Sequence, residues 1–296
     1  MPFAISRPIP LWRCCALCVV AAALAAAGCA EDGPQDIDIE FVPLVGGRPF
    51  SCTSEYGGLG TGQGTARPLD FRLYLHDLAL VTRGGQQVPV TLKDDDVWQR
   101  YGVALLDFED ATGTCNTGSV ETNAHVVGRT PTHGDYVGVT FRVGVPASMN
   151  HLDAATAPAP FNAPGLWWSW QGGYKYARID VSTRGNPNGF YFHLGATTCD
   201  GTVAGGFGCR YDNVSTVSMV GFQPGRNQVA LDIAPLYDGV DIDRAPDYQA
   251  DSVAGCMAFS GDPECPAMFA PLGLSFEDGA VAPARAALFT VIGGRS

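Results

Sequence analysis

Beyond its first 28 residues the chain has no stretch of helical length with a 3.6-residue apolar period, yet apolar and polar residues alternate in segment after segment. Ile37, Ile39 and Phe41 alternate with Asp36, Asp38 and Glu40, and Phe71, Leu73 and Leu75 with Arg72, Tyr74 and His76. The same period runs through Val88-Val90-Leu92, Val137 to Val145, Ala177-Ile179-Val181, Phe190-Phe192-Leu194, Val229-Leu231-Ile233 and Phe289-Val291. Turns such as Gly46-Gly47, Gly84-Gly85 and Asp238-Gly239 separate them. Side chains of period two need a sheet with one face on a core, so the chain is expected to be all-β, an antiparallel sandwich or barrel. Residues 55–69 and 154–166 read as loops, and 237–270 as an irregular acidic lobe. The expected organisation is a leader over 1–28, a tether over 29–35 and a single β domain over 36–296.

The leader places the domain. Arg7 and Arg13 precede the apolar run Leu17 to Ala27, which is too short to span a bilayer and ends on Ala26-Ala27-Gly28-Cys29. That reads as an export signal with a lipoprotein-type cleavage box. Cys29 would carry the lipid, and the membrane would be met only through it. The net charge of −12, more negative still without the two leader arginines, argues against nucleic acid as a partner and suits attraction of a cation. Six cysteines follow the anchor, and an even number in an exported chain reads as three disulfides. Among the fifteen pairings the expected set is Cys199–Cys209, Cys256–Cys265 and, by remainder, Cys52–Cys115.

No HExxH, GxSxG, P-loop or CxxCH motif is present. Asp241, Asp243 and Asp247 lack the glycine and terminal glutamate of a calcium loop and read as an acidic surface. Five histidines remain to carry chemistry. His76 lies off the apolar face of its segment beside Tyr74, and His193 does the same beside Tyr191; two strands so built can bring imidazoles to one metal ion, with Tyr74 and Tyr191 expected to support the rings they adjoin. In an extended segment His151 and Asp153 point the same way, so Asp153 would orient that ring, whereas Asp77, next to His76, would face the opposite side. His125 and His133 flank a turn-like segment and face solvent. Trp167-Trp168-Ser169-Trp170 holds three tryptophans in four positions, and alternation puts Trp168 and Trp170 on one face. With Tyr174 and Tyr176 this cluster is either core aromatic surface or a platform for a sugar or peptide.

Six phrases in order resemble the MbnP family of exported proteins, related to a copper-repressible surface protein of methane oxidisers. They are Leu73-Tyr74-Leu75-His76-Asp77, Trp98-Gln99, Leu105 to Glu109, Phe141 to His151, Trp168 to Tyr176, and Phe192-His193-Leu194-Gly195. The resemblance implies a partner, a di-haem MauG-like cytochrome c peroxidase that oxidises one tryptophan to kynurenine. It also implies a copper ion bound by the modified residue and histidines. Carried onto this chain, the ligands would be His76, His151 and His193, and the modified residue Trp168, Trp170 or Trp98. Such a protein binds rather than catalyses. Intact indole offers a metal no lone pair, whereas ring-opening frees an aryl amine and a ketone.

Overall fold

The strand Gly64–Thr82 is the spine of the larger of two packed sheets in the computed structural model, which describes residues 33–115, 118–244, 253–277 and 287–293. Along this spine lie antiparallel partners: Tyr136–Val143 and Gln87–Pro89 toward one end, Ala177–Thr183 and Tyr56–Leu59 toward the other, and Val103–Asp107 at its middle. Phe190–Leu194 pairs with Ala177–Thr183 and carries Gly255–Cys256 in parallel at the margin. Among the described residues the second sheet runs in the order Phe289–Gly293, Asn227–Asp232, Gln35–Val45, His125–Thr130, Thr91–Leu92. Its Gln35–Val45 and Asn227–Asp232 strands are parallel. The sheets do not close on each other, so of the two expected architectures the sandwich is the one found.

Alternation explains the core between them. Ile37, Ile39 and Phe41 face inward from one sheet, and Phe141 from the other meets Phe41 at 5.6 Å and Phe289 at 5.3 Å, both edge to face. The opposite face of the spine is buried as well: Asp70, Arg72, Tyr74 and His76 are all covered. The cover is the proline-rich stretch expected to be a loop, and it is held by its own carbonyls. Tyr74 Oη donates to Pro160, Tyr174 Oη to Phe161 and Arg72 Nη1 to Pro164. Charged residues on a sheet covered from both sides must find partners there.

Three expectations change, and His125 and His133 face solvent as expected. Residues 55–69 are not a loop but a hairpin, Tyr56–Leu59 turning into the spine, because glycines at Gly58 and Gly60 take the positive φ that the bend needs. Val88-Val90-Leu92 is not one strand: Gln87–Pro89 joins the larger sheet and Thr91–Leu92 the smaller. His125 opens the strand His125–Thr130, exposed and paired with Asp38 at 2.8 Å, and His133 is exposed beyond it. Asp77 does reach His76, since a bulge opposite Thr140–Arg142 puts Asp77 at φ 52° and brings its carboxylate 3.2 Å from Nδ1. The disulfides join Cys52 to Cys115, Cys199 to Cys209 and Cys256 to Cys265. The last staples a lobe of little regular structure around the short helix Cys265–Phe269. The leader, Cys29 and Asp247 lie outside the described residues, and among those described no helix is long and apolar enough to cross a membrane.

Candidate metal centre

His193 projects from Phe190–Leu194 onto the covered face of the large sheet and is only 3% exposed. Its Nε2 lies 3.0 Å from Asp180 Oδ1 on the neighbouring strand, and its Nδ1 is buried with no hydrogen-bond partner. Burial lowers the His193 pKa against the opposing pull of Asp180, so the ring is neutral, with Nε2–H donating to the carboxylate. Burial would raise Asp180, but the His193 hydrogen bond and the Arg178 guanidinium, 2.7 Å away, hold it below the usual range. An imidazole fixed by a carboxylate on one nitrogen, with a lone pair free on the other, has the arrangement that carboxylate–histidine metal sites use.

Trp168 lies against this ring, centroids 6.3 Å apart, and Tyr191 flanks it at 5.6 Å. The indole can lie there because residue 195 is glycine: a Cβ would come 2.4 Å from Trp168 Cζ3. Lys175 Nζ stands 6.0 Å from the Trp168 ring, its pKa pushed down to about 8 by burial and the nearby Arg178 charge. The outer side of Trp168 floors a cleft of about 550 Å³ whose walls include Gln171, Thr197, Cys199 and Phe259.

The hairpin that presents Trp168 splits the tryptophans. Its strand ends at Ser169, so alternation ends there too, and Trp170 does not share the face of Trp168 as expected. Trp170 is 38% exposed and packs edge-on against Trp167 at 5.9 Å. Trp98, half-buried on the core, is held by three backbone N–H groups at residues 97–99 donating to Asp95 Oδ1.

The three candidate imidazoles do not converge. His193 is opposite Arg178, which is opposite Arg72, four residues along the spine from His76. Two strand spacings and four residues put the two Cα atoms about 16 Å apart. His76 is itself 3% exposed, its pKa lowered by burial, and neither ring nitrogen makes a hydrogen bond; Asp77 is close but out of line. His151 sits beside the Cys199–Cys209 bridge. Its Nδ1 donates to the Trp170 carbonyl at 2.8 Å, its ring stacks on Phe207, and its Nε2 is 3.4 Å from Cys209 Sγ.

The expected supporting residues need correction. Asp153 does not orient His151: residues 147–157 run through turns rather than an extended strand, and the carboxylate accepts from Ala155 N and Thr156 Oγ1. Tyr74 is a core residue with its hydroxyl committed to Pro160, and it has no role beside an imidazole. Tyr191 touches His193 only through its ring, since its hydroxyl donates to Asn188. Sequence reading missed Asp180, Lys175 and Gly195. The signal for Asp180 was its place among Ala177, Ile179 and Val181, on the polar side of that strand, but only the register puts it opposite Tyr191 and beside His193.

Comparison with known proteins follows the same lines. The family described as MbnP matches residues 34–258. The solved structure of MbnP from Methylosinus trichosporium is similar over 88% of this chain and 99% of that one, at 28% identity and a TM-score of 0.76. No curated protein matches the chain.

Proposed function

This chain belongs to the MbnP family, and on that premise we propose that it is an exported, lipid-anchored copper-binding protein whose site is completed by oxidation of Trp168. The observation that carries the reading is the buried, neutral His193, with Asp180 on one nitrogen, nothing on the other and an indole against its ring. Of the three tryptophans the resemblance leaves open, Trp168 is the one in ring contact with a candidate imidazole ligand. Opening its five-membered ring would place an amine and a ketone beside His193 Nδ1, and imidazole with amine suits copper among the divalent ions. Lys175, with its lowered pKa, is a further nitrogen close by. His76 stands too far off to share an ion held at His193.

The oxidant in this reading is a di-haem MauG-like cytochrome c peroxidase. Trp170 is exposed and in contact with Trp167, the chain neighbour of Trp168, so an electron can leave Trp168 by way of the surface. Tethering through Cys29 would hold the protein in the envelope where such a partner works. The test is peptide mass spectrometry with metal analysis on protein isolated from its own envelope. Kynurenine at position 168 together with copper is the expected result; intact tryptophan and no copper in cells that express the peroxidase would overturn it.

The cleft floored by Trp168 and edged by Phe259 favours a second reading, recognition of a sugar or peptide on an aromatic surface. Copper-independent ligand binding that Trp168→Ala abolishes would select it.

A further inference from the structure

Only one of the three disulfides has a histidine on it. His151 Nε2, Cys199 Sγ and Cys209 Sγ all lie within 4.8 Å of one another. We propose that these three residues form a thiol-gated site for a soft monovalent metal ion such as copper(I), closed while the disulfide is intact and opened by a dithiol reductant. This inference does not rest on the Trp168–His193 reading, which concerns other residues and needs no reduction.

The imidazole is already set for the task. A carbonyl oxygen can only accept, so the 2.8 Å contact with Trp170 puts the proton on Nδ1 and leaves Nε2 as the acceptor, between Asn150 Nδ2 at 3.3 Å and Cys209 Sγ at 3.4 Å. Phe207 stacks on one face of the ring at 5.1 Å. Its chain neighbour Asn150 is buried and accepts from Tyr174 N, which anchors the turn that carries the histidine. This position therefore does not depend on the disulfide.

The sulfurs would also stay in place after reduction. Cys199 and Cys209 are directly opposite in the ribbon formed by Thr197–Thr202 and Gly206–Tyr211, and the backbone pairing on both sides of them fixes that register. Among the described residues this ribbon pairs only with itself, so opening its bridge leaves the two packed sheets untouched. Both cysteines are half-buried, whereas Cys52, Cys115, Cys256 and Cys265 are buried. Access singles out this pair for thiol exchange.

The chemistry balances. One thiolate of the reductant attacks a sulfur of the bridge, the S–S bond breaks, and the second thiol of the reductant resolves the mixed disulfide. Two electrons and two protons thus pass to Cys199 and Cys209, and the reductant leaves as its own disulfide. Nε2 is placed to take the Cys209 thiol proton, leaving a thiolate. When the metal ion binds, two thiolates and the imidazole lone pair coordinate it and the two thiol protons go to solvent. Two thiolates with one imidazole are a donor set that selects copper(I) over hard cations.

The experiment uses the full chain, reduced with a limiting amount of dithiothreitol without oxygen. Part is alkylated and mapped by mass spectrometry, and part is titrated with copper(I) against a chromophoric chelator. Cys199–Cys209 should open first, and the opened protein should bind one more copper(I) per chain than the oxidised protein. His151→Ala, or His151→Gln should the alanine variant fail to fold, should weaken that additional equivalent at least tenfold. Cys199→Ser with Cys209→Ser should remove it, and His193→Ala should keep it. Prior opening of another disulfide, no additional copper(I) in the opened protein, or an additional equivalent indifferent to His151 would each overturn the proposal.

Discussion

At the scale of single residues, what separates His193 from His125 is the company each keeps. Both contact an aspartate, at 3.0 Å and 2.8 Å. His125 and Asp38 are exposed, where water competes for every bond and a metal gains little over the solvated ion. His193 and Asp180 are buried, and His193 has a nitrogen without a partner that a metal would satisfy. His193→Ala should therefore weaken copper binding more than tenfold and His125→Ala less than twofold, measured by competition with a chelator. Asp180→Asn keeps the shape but loses the charge that orients the ring, and a loss of about 10- to 100-fold is expected. Equal effects at His193 and His125 would place the copper elsewhere. That His193 stood off the apolar face was readable from Phe190, Phe192 and Leu194. That it was buried was not, because the indole laid against it, Trp168, comes from a short hairpin distant in sequence.

At the scale of elements, regular alternation was readable and its interruptions were not. Gln35–Val45, Gly64–Thr82 and Tyr136–Val143 follow from hydrophobic period alone. The Asp77 bulge, the end of a strand at Ser169 and the turns over 147–157 each reverse which way a side chain points, and each concerns a candidate site residue. Register depends on partners distant in sequence, which is why Asp180 was missed and Asp153 misassigned. The tryptophan hairpin is an element with a kinetic role in the proposed oxidation. Trp167→Phe removes the indole between Trp170 and Trp168, and should slow kynurenine formation several-fold while leaving copper affinity unchanged once kynurenine exists. An unchanged rate in single-turnover kinetics would remove Trp167 from the path. The disulfides differ by the chain they close, with a sequence separation of 63 from Cys52 to Cys115 and 10 from Cys199 to Cys209. On the chain-entropy account, losing the first should cost about 4 kcal/mol and the second about 3 kcal/mol, a ranking that denaturant titration of the two double Cys→Ala variants would check.

At the scale of the whole molecule, the doubly covered sheet decides how stability depends on pH. Its buried face carries a connected set of charges. Arg72 pairs with Asp70, and Arg178 bridges Asp70 and Asp180, which holds His193. Asp107 and Glu109 approach the same arginine from the Val103–Asp107 side, where Arg72 already has its partner. Burial pushes Asp107 up to about 8, with Arg72 opposing and Glu109 and Asp70 adding to the rise; Glu109 is raised too, again by burial. Folded Asp107 thus keeps its proton up to about pH 8, whereas an unfolded aspartate loses it near pH 4. Between those values the folded chain binds more protons than the unfolded one, so this residue makes stability fall as pH rises. His76 and His193 act in the other direction, because their lowered pKa values leave the folded chain with fewer protons below about pH 6.5. Asp107→Asn keeps an acceptor for the Glu109 N–H and removes the ionisation. The difference in unfolding free energy between variant and wild type cancels the histidines and isolates this one carboxyl. It should grow from below about 1 kcal/mol at pH 4 to about 5 kcal/mol in favour of asparagine at pH 8. A flat difference across that range would mean that Asp107 is ionised in the folded protein, with Arg72 shared between two carboxylates rather than held by Asp70 alone.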